Sequence, residues 1–226
     1  MWHDQDHKPE VLSTMPHVFI SQRWVAPPDL MAVRPASSLE HNGGEYVNLY
    51  WSSGTADEME ADFKVLGRRL ELVGRMQPMK YIHRTWGRRL VPISVCTRPG
   101  LELSAEAVTF APQTSGLMLV VIDFLDSDVR DAYASWHESV HMPMILETGI
   151  FSGAAKLTSS ASDERNLFVV LYYTDRPDAC TAYLEFRQRT DEWRQTGKDF
   201  PNKDAARKLI HSGMYRPSIG HYDFYD

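Results

Sequence analysis

Apolar and polar positions follow no sustained period over residues 1 to 45, and then become strongly patterned from Tyr46 onward. In the first stretch Pro27-Pro28, Pro35 and the run HNGGE at 41 to 45 act as punctuation. It reads as an irregular N-terminal arm, with one strand over Val18 to Val25 and loop elsewhere. Beyond it, YVNLYW alternates as a strand, ADEMEADFKVLGRRLELVGRM carries helical spacing, and MKYIHRTW and RRLVPISVC read as two more strands. The text then runs strand (GLMLVVIDFL), helix (SDVRDAYASWHESVHM), strand (FSGAAKL), strand (NLFVVLYYT), helix (PDACTAYLEFRQRTDEWRQT) and strand (KLIHSGMYRP).

The two patterned regions align without a gap at an offset of 70 residues. Met59, Phe63, Leu66 and Leu70 fall on Val129, Tyr133, Trp136 and Val140, which predicts one apolar helical stripe in each copy. Val47, Leu49 and Tyr81 fall on Leu117, Leu119 and Phe151. The second copy has the β-α-β-β-α-β order of a ferredoxin-like unit. The first is abbreviated, because Thr97 to Ser115 is too short for a second helix and a last strand. The predicted fold is α+β: tandem ferredoxin-like repeats forming an α+β barrel with antiparallel sheets. Its parts are the arm (1–45), an abbreviated first repeat (46–116) and a complete second repeat (117–226), with facing sheets able to enclose a pocket.

Composition narrows the ligands. The 226 residues are 43% hydrophobic and 24% charged, with a net charge of −6, so no basic surface recommends nucleic acid or an anionic membrane. A small-molecule substrate is the expected partner. Cys96 and Cys180 lie far apart, in no metal-binding spacing. The opening MWHDQDHKPEVLSTMP lacks the basic end and apolar run of a signal peptide, and no stretch is long enough to span a membrane. A cytoplasmic protein is expected.

Within SWHESVHMPM, residues His137 to His141 read H-E-x-x-H, a pattern that on a zinc-peptidase helix supplies two ligands and a general base. At about 100° per residue, with Val129, Tyr133, Trp136 and Val140 as the buried centre, His137 and His141 share one flank and Glu138 points to solvent. Pro143 is expected to stop or kink the helix. Met144 and Glu147 stand where the extended motif needs glycine and histidine, and Glu164, the glutamate a downstream third ligand would need, sits in a polar turn. A peptidase is therefore disfavoured, and neither a metal nor another cofactor is expected. At the positions of His137, Glu138 and His141 the first copy has Gly67, Arg68 and Glu71, so the repeated fold does not itself require the histidines.

The segment YASWHESVHMPMI resembles the Trp-x-x-x-x-His-x-Pro-hydrophobic helix end of EthD-like members of the dimeric α+β barrel superfamily, with Trp136, His141, Pro143 and Met144 matching. That resemblance covers about half of the chain. It implies a small-molecule pocket between sheet and helices, commonly for aromatic or polyketide-like compounds, and a homodimer as a frequent assembly. The superfamily includes cyclases, decarboxylases, isomerases, cofactor-free oxygenases and haem proteins, and fold analogy does not choose among them.

The expected function is a cofactor-independent lyase or isomerase acting on an aromatic or conjugated small molecule by histidine acid/base catalysis. His141 is the expected base or acid, His137 its partner, and His211 a third catalytic candidate. Trp136 is an expected pocket wall, Tyr215 an orienting donor, and one of Tyr172 and Tyr173 should point inward. His83 and Tyr81 share one face of their strand, His211, Gly213 and Tyr215 share a face of theirs, and Asp123 is placed to orient an imidazole. Two alternatives stay open: a metal or haem held by the same histidines, and a non-catalytic small-molecule-binding module.

Overall fold

The computed structural model describes residues 7–35, 43–76, 87–110, 114–159, 165–200 and 207–218. The chain divides into two compact units, one of Met1–Trp24, Tyr46–Gly87 and Ser218–Asp226, the other of Val25–Glu45 and Arg88–Pro217.

In the first unit, α1 (Lys8–Thr14), β1 (Val18–Val25), β2 (Tyr46–Ser52) and α3 (Ala56–Leu72) surround a small core, with β1 beside β2. Helix α3 starts at a reciprocal cap: Glu58 N–H donates to Thr55 Oγ1 at 3.3 Å, and Thr55 N–H donates to Glu58 Oε2 at 2.7 Å. Its expected stripe forms, because Leu66 and Leu70 are buried with Val11, Met15 and Val18, and Met59 and Phe63 pack against them. Helix α1, where loop was expected, is seven residues long and too short to be stable alone. Burial of Val11 against α3's stripe supplies what its own hydrogen bonds cannot.

The second unit holds α2 (Pro28–Ala32), β3 (Leu90–Thr97), α4 (Ala105–Phe110), β4 (Gly116–Phe124), α5 (Ser127–Trp136), α6 (Met142–Glu147), β5 (Gly153–Ser159), β6 (Asn166–Thr174), α7 (Ala179–Gln195) and β7 (Arg207–Pro217). Its strands lie in the order β7-β4-β6-β5-β3, each neighbour antiparallel. From Gly116 onward the elements run β-α-β-β-α-β. Strand β3, drawn from the first copy of the repeat, pairs with β5 from Leu90↔Ser159 to Thr97↔Gly153, so this α+β sheet uses both copies. The segment MKYIHRTW lies outside the described residues.

The register assigns every strand residue to a face. Tyr172 stands opposite Met118 and Ala154, and Val170 opposite Val120 and Lys156, so these side chains share one face. Helix α5 covers that face over β4 and β6, and α7 covers it over β4 and β7. Tyr173, Gly153 and Leu117 share the other face with Tyr215, and Val121 shares it with His211. Among the described residues no helix is long and apolar enough to cross a membrane.

Candidate active site

Helix α5 is capped by Asp126, whose carboxylate accepts from Asp128 N–H at 2.7 Å. Past Trp136 its ladder widens into a single π turn over His137–His141, in which Met142 N–H donates to His137 O, five residues back. The extra residue corrects the predicted stripe. Tyr133 and His137 become the buried line, Trp136 is half-buried, and Val140 is 41% exposed. At Pro143 the helix does not stop. The helix continues through this proline as α6, because the widened turn removes the α-type carbonyl contact that a proline ring would strike.

His137 is 1% exposed. Its Nε2 lies 2.8 Å from Tyr172 Oη, and its ring meets Phe168 edge-on at 5.2 Å. Its Nδ1 is buried and has no hydrogen-bond partner among the described residues. Burial holds the imidazole well below 6.5, with His141 and Lys156 acting in the same direction. Burial also drives the Tyr172 phenol well above 10. Both groups are therefore neutral at pH 7.

His141 is partly exposed and stacks on Trp136, with centroids 4.8 Å apart and planes 19° apart. The edge of Trp193 lies 5.8 Å away, and the His137 ring 5.4 Å away. Its Nδ1 is likewise buried and has no hydrogen-bond partner among the described residues. Burial pushes His141 down to about 4, opposed by Asp199 and assisted by Arg207 and Arg194. Tyr133 and Phe200 complete an aromatic surround. A cleft of about 360 Å³, lined by Met144, Glu147, Thr148, Arg189, Trp193 and Lys198, reaches this cluster at Trp193.

Glu138, half exposed as its predicted outward direction requires, is not idle: its carboxylate pairs with the ammonium of Lys156, a residue only 2% exposed on β5. Sequence reasoning missed Lys156. The available signal was a lysine in the middle of GAAKL, where strand alternation puts it on the same face as Tyr172. Among the described residues no group of three or more His, Cys, Asp and Glu side chains has the arrangement to hold a metal ion.

The other named residues do not converge on this site. His211 lies on the opposite face of the sheet, its Nε2 3.0 Å from Tyr215 Oη. Tyr215 Oη donates to Gly44 O at 3.3 Å, and the Arg34 guanidinium covers the Tyr215 ring at 4.7 Å. Gly213 makes this cluster fit, since a Cβ there would stand 2.7 Å from Arg34 Nε and 3.0 Å from His211 Nε2. Asp123 orients neither His137 nor His141, because it points to the same opposite face and accepts from Arg165 at 2.7 and 2.8 Å. His83 and Tyr81 lie outside the described residues. Of the predicted set, His137, His141, Trp136 and Tyr172 come together.

Compared with known proteins, the chain matches no family model, no curated protein and no solved structure.

Proposed function

We propose that this chain is a cofactor-independent enzyme of the lyase or isomerase type, moving a proton on an aromatic or conjugated small molecule, with His137 and Tyr172 as the proton-handling pair. The observation that carries this reading is the asymmetry of His137: Nε2 is held by Tyr172, while the equally buried Nδ1 has no partner among the described residues. If Tyr172 donates to Nε2, Nδ1 carries a hydrogen for a substrate acceptor. If Nε2–H donates to Tyr172, Nδ1 is a base. A neutral imidazole can thus accept at one nitrogen and release at the other, without the buried imidazolium that this site disfavours.

The roles within the histidine pair are the reverse of those expected from sequence: His137 handles the proton, and His141 with Trp136 forms a stacking wall. That wall, with Phe168 and Trp193, favours a flat conjugated substrate entering from the cleft at Trp193. The same proposal includes the tandem-repeat α+β barrel architecture and a cytoplasmic setting, the latter supported by two free cysteines. A positioned acid/base group contributes about 10²- to 10⁴-fold.

The test is incubation of the full chain in D2O with a panel of hydroxylated aromatic acids and conjugated keto acids, following carbon-bound deuterium and decarboxylation by NMR. Conversion of a panel member is expected. His137→Ala and Tyr172→Phe should abolish most of it, and His211→Gln should retain it. No conversion of any member, or conversion that survives His137→Ala, defeats the reading.

One observation favours a second reading, a metal or haem held by both histidines: neither Nδ1 atom has a hydrogen-bond partner among the described residues. Stoichiometric metal or a Soret band in the purified protein would establish it in place of the first.

A further inference from the structure

Lys156 is the buried nucleophile that the proposed reaction leaves unused. It sits in the middle of β5, opposite Val170 on one side and Ser94 on the other, and is 2% exposed. Enclosing an ammonium there is costly, and an apolar side chain of similar length would fill the same space without that cost. The Lys156 amine meets the Glu138 carboxylate, which reaches in from the π turn. Cys96 stands opposite Ala154 and shares Lys156's face.

Beside this pair lies a cleft of about 240 Å³, lined by Cys96, Thr97, Glu138, Met142, Pro143 and Leu146, with Glu147 also on its wall. Met142, Pro143 and Leu146 make it partly apolar. Glu138 and Glu147 disfavour an anionic ligand. A neutral molecule is what its lining accepts, and behind its wall, paired with the lining residue Glu138, stands a buried amine whose proton has a carboxylate to go to.

We infer that Lys156 is an imine-forming lysine, condensing with a neutral aldehyde or ketone held in this cleft while Glu138 moves the protons. Glu138 first takes a proton from the Lys156 ammonium. The amine lone pair then forms a C–N bond to the carbonyl carbon, and the C=O π electrons move to oxygen. A proton passes from nitrogen to that oxygen, giving a carbinolamine. Glu138 returns its proton to the hydroxyl, the C–O bond breaks, water leaves, and the nitrogen lone pair forms C=N. Carbonyl plus ammonium become protonated imine plus water, with Glu138 again a carboxylate beside the positive nitrogen and no change of oxidation state. Burial, which lowers the Lys156 pKa against the opposing influence of Cys96, favours the uncharged amine that this step needs.

The inference does not rest on His137. It is tested on the full chain with benzaldehyde and sodium cyanoborohydride, which reduces an imine to a stable benzyl amine, followed by peptide mapping. Lys64 is the internal reference, an exposed lysine paired with Glu60 at 2.6 Å. Benzylation of Lys156 ahead of Lys64 is expected, as is slower labelling by the anionic 4-carboxybenzaldehyde. Glu138→Gln should slow labelling at Lys156 by about 10²-fold while leaving Lys64 unchanged. His137→Ala should still be labelled at Lys156. If Lys156 reacts no faster than Lys64 in the unmodified chain, or if Glu138→Gln has no effect, the pair is only a structural tie and the inference fails.

Discussion

Replacing Tyr172 with Phe removes one oxygen atom and no carbon, so its effect isolates the hydrogen bond to His137 Nε2 at 2.8 Å. His137 would then hold two buried nitrogens without partners, at a site 1% exposed. Orphaning a buried polar atom costs about 1–3 kcal/mol. Taking about 2 kcal/mol and a urea slope of about 2 kcal/mol per molar, the unfolding midpoint should fall by roughly 1 M. A second substitution gives the reasoning its sharper form. His137→Leu alone leaves the Tyr172 hydroxyl orphaned, but combined with Tyr172→Phe it leaves neither polar group behind. The double variant should be less destabilised than the sum of the singles by about 1–2 kcal/mol. Urea titration of the four proteins, followed by tryptophan fluorescence, measures this. A Tyr172→Phe midpoint equal to that of the unmodified chain, or an additive cycle, would refute the claim that this bond satisfies a buried imidazole.

Acidification should destabilise the fold through the same histidines. Their folded pKa values are depressed, so the unfolded chain binds protons first. The stability they contribute is present above about pH 6.5 and is lost as pH falls toward their folded values, about 4 for His141 and well below 6.5 for His137. His137 carries the larger share of this loss and the partly exposed His141 a smaller one, so His137→Leu should flatten urea midpoints measured from pH 7.5 to 5. Gly213→Ala should lower stability by about 1–3 kcal/mol, because the new methyl stands 2.7 Å from Arg34 Nε; thermal unfolding of the variant checks this, and unchanged stability would contradict it. Glu138→Ala should destabilise more than Lys156→Met, since the first leaves a buried ammonium without its partner and the second substitutes an apolar chain of similar length. Denaturant midpoints of the two variants should differ in that order.

The strands were legible because alternation is a local property. Val18–Val25 is a strand with the bounds its sequence suggests, and β4 and β6 coincide with their apolar runs. Helix α3 keeps its predicted stripe because its residues obey one period throughout. Helix α5 does not, and the reason is tertiary. His137 turns inward to meet Tyr172, 35 positions away, and the ladder widens by one residue to permit it. Nothing local to SWHESVHMPM announces that turn except Pro143, which signals an interruption without giving its direction. A stripe drawn from apolar residues alone puts His137 on its flank, whereas this histidine takes the buried place that Val140 was expected to fill.

The separation of His211 from His137 could be read only with the strand register in hand. Alternation places His211 with Gly213 and Tyr215, but it does not say which sheet face the helix histidines meet. Lys156 was overlooked for a related reason: a lysine in a short strand reads as an edge or solvent residue until both neighbouring strands are known. Arg34, whose guanidinium fills the space left by Gly213, came from a stretch with no period at all.

The central claim is that His137 is a neutral imidazole held at one nitrogen and available at the other. Nitrogen-15 NMR of the histidine side chains answers it directly, with samples between pH 7.5 and 5 and a conjugated phenolic ligand added at pH 7.5. His137 is expected to hold one neutral tautomer at pH 7.5 and to titrate well below 6.5, and its Nδ1 resonance is expected to shift when a phenolic ligand binds. Titration of His137 with a midpoint near 6.5, or an Nδ1 resonance that no such ligand moves, would contradict it.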